Sequence, residues 1–178
     1  MAFSKPASGI VAALAVLLFS APSASAACSG ANASVSQVSN RTLVRATLCV
    51  LNAERARRDL GPLRLNRKLS AAARGHSLAM ARDKFFSHDS LGGASFVDRI
   101  RRTGYLTGAR SWYVGENIAY GSGSRSSPRS IGTAWMNSPP HRANILSKSF
   151  REIGIGLALG TPVGSGGATY TTDFGQRS

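Results

Sequence analysis

Acidic residues are scarce in this chain: 8 among 178, against 22 lysines and arginines, for a formal charge of +14. Cysteine and histidine are scarcer still, with two and three copies. Cysteines at 28 and 49 match neither a zinc site nor a CxxC redox pair. No HExxH pair and no GxSxG elbow is present, so the most compact signatures of zinc peptidases and serine hydrolases are missing. Gly154-Ile155-Gly156-Leu157 begins a GxGxxG pattern, but its third glycine would fall on Leu159. These glycines are better read as places where a neighbouring backbone comes close. No internal repeat occurs. The longest apolar run, Ile10 to Phe19, is far short of the ~20 residues that cross a membrane.

That run instead fits an export leader over residues 1–26, with Lys5 before it and the small-residue cleavage site Ala24-Ser25-Ala26 after it. The remaining 152 residues suit one domain with a single core, here an arm over 27–40 and a folded unit over 41–178. In an oxidising compartment Cys28 and Cys49 are expected to bridge, which for a loop of about 20 residues contributes roughly 3 kcal/mol. An alternative lipidates Cys28, because Ser25-Ala26-Ala27-Cys28 faintly resembles a lipoprotein box. The expected location is extracellular or wall-associated, or periplasmic where the cell has an outer membrane. After cleavage 21 bases face 8 acids, a charge of +13. Such a field draws anionic partners: an anionic wall polymer, acidic lipid or nucleic acid. No nucleic-acid motif accompanies it. The arginines are spread along the chain, with small knots at Arg55, Arg57, Arg58 and at Arg99, Arg101, Arg102, so a merely solvated basic surface is an equal reading.

Apolar spacing lays out the elements. Leu43, Val44, Leu48, Leu51 and Leu60 recur helically between a cap at Ser39 or Asn40 and a stop at Gly61-Pro62. A second helix runs from an Asn66 cap to about Lys84, and a third opens on a Ser95/Asp98 capping box and closes at Gly104. Trp112 to Tyr120 alternates as a strand, Pro128 opens a helix through Trp135, and two alternating strands, Ile153, Ile155, Leu157, Leu159 and then Ala168, Tyr170, Thr172, Phe174, end the chain. Their short connection requires antiparallel pairing. The expected class is α+β, with helices flanking a small, largely antiparallel sheet.

Glu116 falls in the apolar phase Trp112, Val114, Glu116, Ile118, Tyr120. An unpaired carboxylate there costs several kcal/mol, so it needs partners. His88 follows the second helix beside Phe85 and Phe86, and His141 follows Pro139-Pro140, which fix the backbone and end the helix carrying Trp135. Two rigidly presented imidazoles and one inward carboxylate could bind zinc through His88 and His141, with Glu116 behind them or acting as general base. The competing reading makes Glu116 an inert anchor bonded to backbone amides and a histidine. His76, on the apolar stripe of the second helix, reads as a hydrogen-bonded core residue. Ser138 fits a helix-ending cap as well as a nucleophile.

Leu51-Asn52-Ala53-Glu54-Arg55-Ala56, Gly61-Pro62-Leu63, Phe86-Ser87-His88, Gly115-Glu116-Asn117-Ile118, Ala134 to Leu146 (AWMNSPPHRANIL), Ile153-Gly154-Ile155-Gly156 and Tyr170 to Gly175 occur in order. This set resembles the CAP superfamily (cysteine-rich secretory proteins, antigen 5 and pathogenesis-related proteins) in its secreted bacterial form. The resemblance implies a three-layer α-β-α sandwich with a cleft of two histidines and two acids, the histidines holding zinc in some members. Carried onto this chain, these are His88, His141 and Glu116, with Asn117 and Ser138 lining the cleft. The second acid is expected three residues after the helix tryptophan, where Ser138 stands, so the tetrad is incomplete. The resemblance therefore favours an extracellular binding module for a lipid, glycan or wall component. A metal-assisted, peptidase-like hydrolase using Glu116 as general base is the alternative.

Overall fold

The computed structural model describes residues 28–178; the predicted leader lies outside the described residues. Cys28 and Cys49 are bridged, with Cα atoms 5.7 Å apart, which ties the arm to the first helix and engages the sulfur that lipidation of Cys28 would need. Helix α1 spans Asn40–Ala56, capped by the Ser39 side chain on Thr42 N. It stops short of the predicted Leu60: Asp59 takes a left-handed conformation (φ 55°) and Leu60 N–H bonds back to Arg55 O. The buried Arg55 guanidinium then binds the carbonyls of Gly61, Ile145 and Ser147, fixing the chain after the turn.

Strand β1, Arg64–Leu65, is only two residues long. Helix α2, Arg67–Asp83, begins at the predicted Asn66 cap and ends at Lys84. Helix α3, Phe96–Arg102, carries the predicted Ser95/Asp98 capping box. Strand β2 is Trp112–Gly121, and helix α4, Pro128–Asn137, follows a short 3-10 turn, Gly123–Ser126. The two prolines after Ser138 do more than end α4. They occupy the first positions of a further helix, α5, Pro139–Leu146, where missing N–H groups cost nothing. Strands β3, Glu152–Thr161, and β4, Gly164–Arg177, complete the chain.

The sheet order is β1-β3-β4-β2, with β4 antiparallel to both β2 and β3, and β1 parallel to β3. Leu43 and Leu51 of α1, Ile131 and Trp135 of α4 and Ile145 of α5 share one core with Ile153, Ile155, Leu157, Tyr170 and Phe174 of the sheet. Leu69 and Ala72 of α2 and Ile100 of α3 cover the other face with Tyr105 and Val114. The result is a three-layer α-β-α sandwich. Gly154 and Gly156 face α2, and a Cβ on either would lie 2.0–2.2 Å from helix backbone carbons. The glycines thus set the distance at which α2 packs on β3.

Candidate functional site

Strand β2 is the outer strand, and its free edge is covered by side chains. Trp135 Nε1 donates to Ile118 O at 3.1 Å, and Asn144 Nδ2 donates to Glu116 O at 3.1 Å. Each residue of Gly115-Glu116-Asn117 has its own task. A Cβ at Gly115 would meet Asn144 Oδ1 at 2.9 Å and the Phe150 ring at 3.1 Å, so only glycine admits α5 this close. Asn117, fully buried, accepts from Asn144 Nδ2 (2.9 Å) and donates to His141 O (3.0 Å), locking α5 onto the strand. Glu116 points to the opposite face, toward α3 and the loop after α2.

There the Glu116 side chain is only 1 % exposed, and both its oxygens are taken. His88 Nδ1 donates to Oε1 at 2.8 Å, and Arg99 Nη2 donates to Oε2 at 2.6 Å. Two charge-assisted hydrogen bonds are what hold a carboxylate in the interior. Arg99 also bonds Ser90 Oγ and Ala94 O through Nη1, so one guanidinium fastens the loop carrying His88 to β2. His76 works on the same loop, its Nε2 paired with Ser87 O at 2.8 Å; burial, above all, lowers its pKa.

Across the ladder from Glu116 stands Asp173, on the same face because paired residues of an antiparallel pair share a side. Asp173 is fully buried and neither of its oxygens has a hydrogen-bond partner among the described residues. Burial first, and then the charge of Glu116, raise its pKa well above the carboxylate range, against a smaller pull from Arg99. Neither Arg99 nor Asp173 was picked out by sequence reasoning. Asp173 lacked the mark that Glu116 carries, because it falls outside the apolar phase Ala168, Tyr170, Thr172, Phe174 of its strand.

His141 does not touch Glu116. Its Nδ1 shares a 2.8 Å hydrogen bond with Ser138 Oγ, at the junction of α4 and α5. It lies close enough to His88 for that charge to lower its pKa, after burial as the larger cause. His88 shifts the other way: the bond to Glu116 raises its pKa over an opposing effect of burial. Nε2 of each imidazole has no partner among the described residues. Among those residues no group of three or more His, Cys, Asp or Glu gathers as a metal site. Beside His88, the half-exposed Phe86 meets Tyr120 edge-to-face, with ring centroids 5.0 Å apart.

The model of the cysteine-rich secretory protein family (CAP) matches residues 48–172. The Bacillus subtilis (strain 168) protein YkwD is 36% identical over 125 residues, 69% of this chain and 43% of that protein. An extracellular protein from Bacillus anthracis containing an SCP domain has a crystal structure similar to this fold (TM-score 0.59, 25% identity), covering 77% of this chain and 43% of the other. An outer surface protein from Borrelia burgdorferi shares the fold at TM-score 0.65 and 18% identity, covering 79% and 97% of the two chains. The chain thus spans less than half the length of YkwD.

Proposed function

Because the chain belongs to the cysteine-rich secretory protein (CAP) family, we propose that it works outside the cell as a binding module. In this reading the β2-edge site of His88, Glu116 and His141 engages a lipid, glycan or wall component without turning it over. The environment of Glu116 carries the reading. A general base needs an oxygen within reach of the proton it removes, whereas this carboxylate is buried and spends both oxygens on His88 and Arg99. Glu116 is then a positioning residue that orients His88. The Phe86 and Tyr120 rings beside it offer an apolar face to a ligand. Export is supported by the predicted leader, by the disulfide, by the absence among described residues of a helix long and apolar enough to cross a membrane, and by relatives described as extracellular or outer-surface proteins.

The donor set also fits zinc. Glu116 accepts from Nδ1 of His88, which leaves Nε2 as that ring's lone-pair donor, and Nε2 of His141 joins it in the tautomer whose Nδ1–H donates to Ser138 Oγ. Bound there, zinc would supply Lewis acidity toward a ligand oxygen. Two protein nitrogens are fewer than the three or four of ordinary zinc sites, so micromolar or weaker affinity is expected. The test is metal analysis and thermal-shift screening of the purified protein against lipid, glycan and wall-fragment panels. Ligand-dependent shifts lost in His88→Ala/His141→Ala are expected. Turnover of a peptide or ester library, abolished by Glu116→Gln in a variant that still folds, would replace the binding reading with the hydrolase.

A further inference from the structure

The arginines of the knots visible in the sequence are, apart from Arg102, engaged within the fold. Arg55 is buried on carbonyls, Arg57 and Arg58 both pair with Glu54, Arg99 pairs with Glu116 and Arg101 with Asp98. Free positive charge gathers elsewhere, from residues distant in sequence. Strand β1 pairs with β3 only at Glu152 and Ile153 and then stops, leaving a groove between α1 and α2 along the rest of that sheet edge. The groove encloses about 760 Å³, and its rim carries Arg41 and Arg45 from α1 and Arg67 and Arg74 from α2, over an aliphatic floor that includes Val44 and Leu65. No acid lines it. Among the described residues none of the four guanidiniums makes an ion pair or a side-chain hydrogen bond. The site lies at the opposite sheet edge from His88 and Glu116.

We propose that this groove binds a flexible linear polyanion of phosphodiester-linked polyol units. The guanidinium fork matches phosphate oxygens two at a time. Arg41 and Arg45 stand one helical turn apart and Arg67 and Arg74 two turns, roughly 6 and 10 Å along their axes, so successive phosphates meet arginines on both walls. Among the described residues no aromatic side chain lines the groove, which removes the stacking platform that single-stranded nucleic acid or a sugar ring would use. Of its two uncharged polar residues, Asn66 is already committed, capping α2 and bonding Glu152 at 2.7 Å, which leaves the small Ser70 hydroxyl beside the arginines. What remains recognises charge on a thin chain, and the concave shape suits a strand better than a bilayer.

This deepens the binding reading by giving the basic surface its own site, and it is tested separately from the His88 site. Binding of purified protein to poly(glycerol phosphate) is measured by titration at several salt concentrations. If each phosphate contact behaves as in a single-stranded polyanion, four contacts give a log–log salt slope of about −3, falling to about −1.5 in Arg67→Glu/Arg74→Glu. The control Arg102→Glu/Arg110→Glu, equal in net charge and away from the groove, should keep the steeper slope. Thermal melts verify that both variants fold. Equal losses in the two variants, or no salt-sensitive binding by the wild type, would overturn the proposal. So would a groove-dependent preference for an oligo(dT) strand or for phosphatidylglycerol vesicles. Glu116→Gln and His88→Ala/His141→Ala should leave polymer binding unchanged; if they abolish it, the groove inference fails while the binding module stands.

Discussion

Replacing Arg99 by Met tests whether the buried charge resides where the geometry places it. Arg99 and Glu116 are 9 % and 1 % exposed as side chains and meet at 2.6 Å. Methionine keeps much of the volume and removes the guanidinium, leaving Glu116 with His88, which is itself half exposed. Removing one partner of a buried pair costs about 3–5 kcal/mol, roughly 6–20 °C in Tm for a domain of this size. An exposed pair would cost less than about 1 kcal/mol. The loss should also depend on pH. The folded pKa of His88 lies above its usual value near 6.5, through the bond to Glu116, so the stabilisation from that pair is complete below this value and fades as pH rises through the folded pKa. With Arg99 gone, His88 is the remaining cation in contact with Glu116, so stability should fall more steeply with pH than in the wild type. Urea unfolding at about pH 5.5 and about pH 8.5 brackets the imidazole range. A loss under about 1 kcal/mol at both values, with no steeper slope, would refute an ionised Glu116 held by Arg99.

Asp173→Asn should behave oppositely to most buried substitutions. Because the folded pKa of Asp173 is raised, the wild type loses stability as pH climbs from the ordinary carboxylate range toward that value; the amide, which never ionises, should gain on it over the same span. A variant markedly less stable than wild type at neutral pH in denaturant titration would contradict a neutral Asp173. Gly156→Ala places a Cβ 2.2 Å from the Ala73 carbonyl carbon, and calorimetry should register a loss of about 3 kcal/mol from displacing α2; wild-type stability would mean that α2 does not sit directly on β3.

The parts of the fold written in local chemistry were legible. Ser39, Asn66 and the Ser95/Asp98 box cap helices where the spacing predicts them, and the strand alternations recur in β2, β3 and β4. Strand β1 was not legible, because two residues carry no periodicity and their pairing is set by β3. Helix α5 was hidden by reading Pro139-Pro140 as a stop, although proline is equally suited to a helix start. Asp173 was missed for a more general reason. The even phase of β4, Ala168 to Phe174, was read as its one buried face, but β4 lies inside the sheet and α2 covers its other face, so Thr169, Thr171 and Asp173 are buried too. Arg99 lay in a knot of arginines, and nothing in local sequence separates the one that turns inward from those facing water.

The serine at 138 makes the two histidines unequal, and this bears on what the site can hold. A carboxylate behind His88 favours its imidazolium, whereas a neutral hydroxyl behind His141 lends no such support, and burial lowers its pKa. An anionic ligand group gains from a protonated His88. Zinc held by both rings would require each to be neutral, so loading it would displace a proton from His88 while meeting little competition at His141. Under the proposed reading, anion and metal would be opposed through one proton, with falling pH favouring the first and rising pH the second. Zinc titrations by calorimetry in buffers of differing ionisation enthalpy, near pH 6.5 and about one unit above, should report proton release that declines toward the higher pH. Substituting Ser138→Asp should increase that release by giving His141 a carboxylate of its own. Release that is independent of pH, or unchanged by Ser138→Asp, would mean that the partners of Nδ1 do not govern what Nε2 can bind.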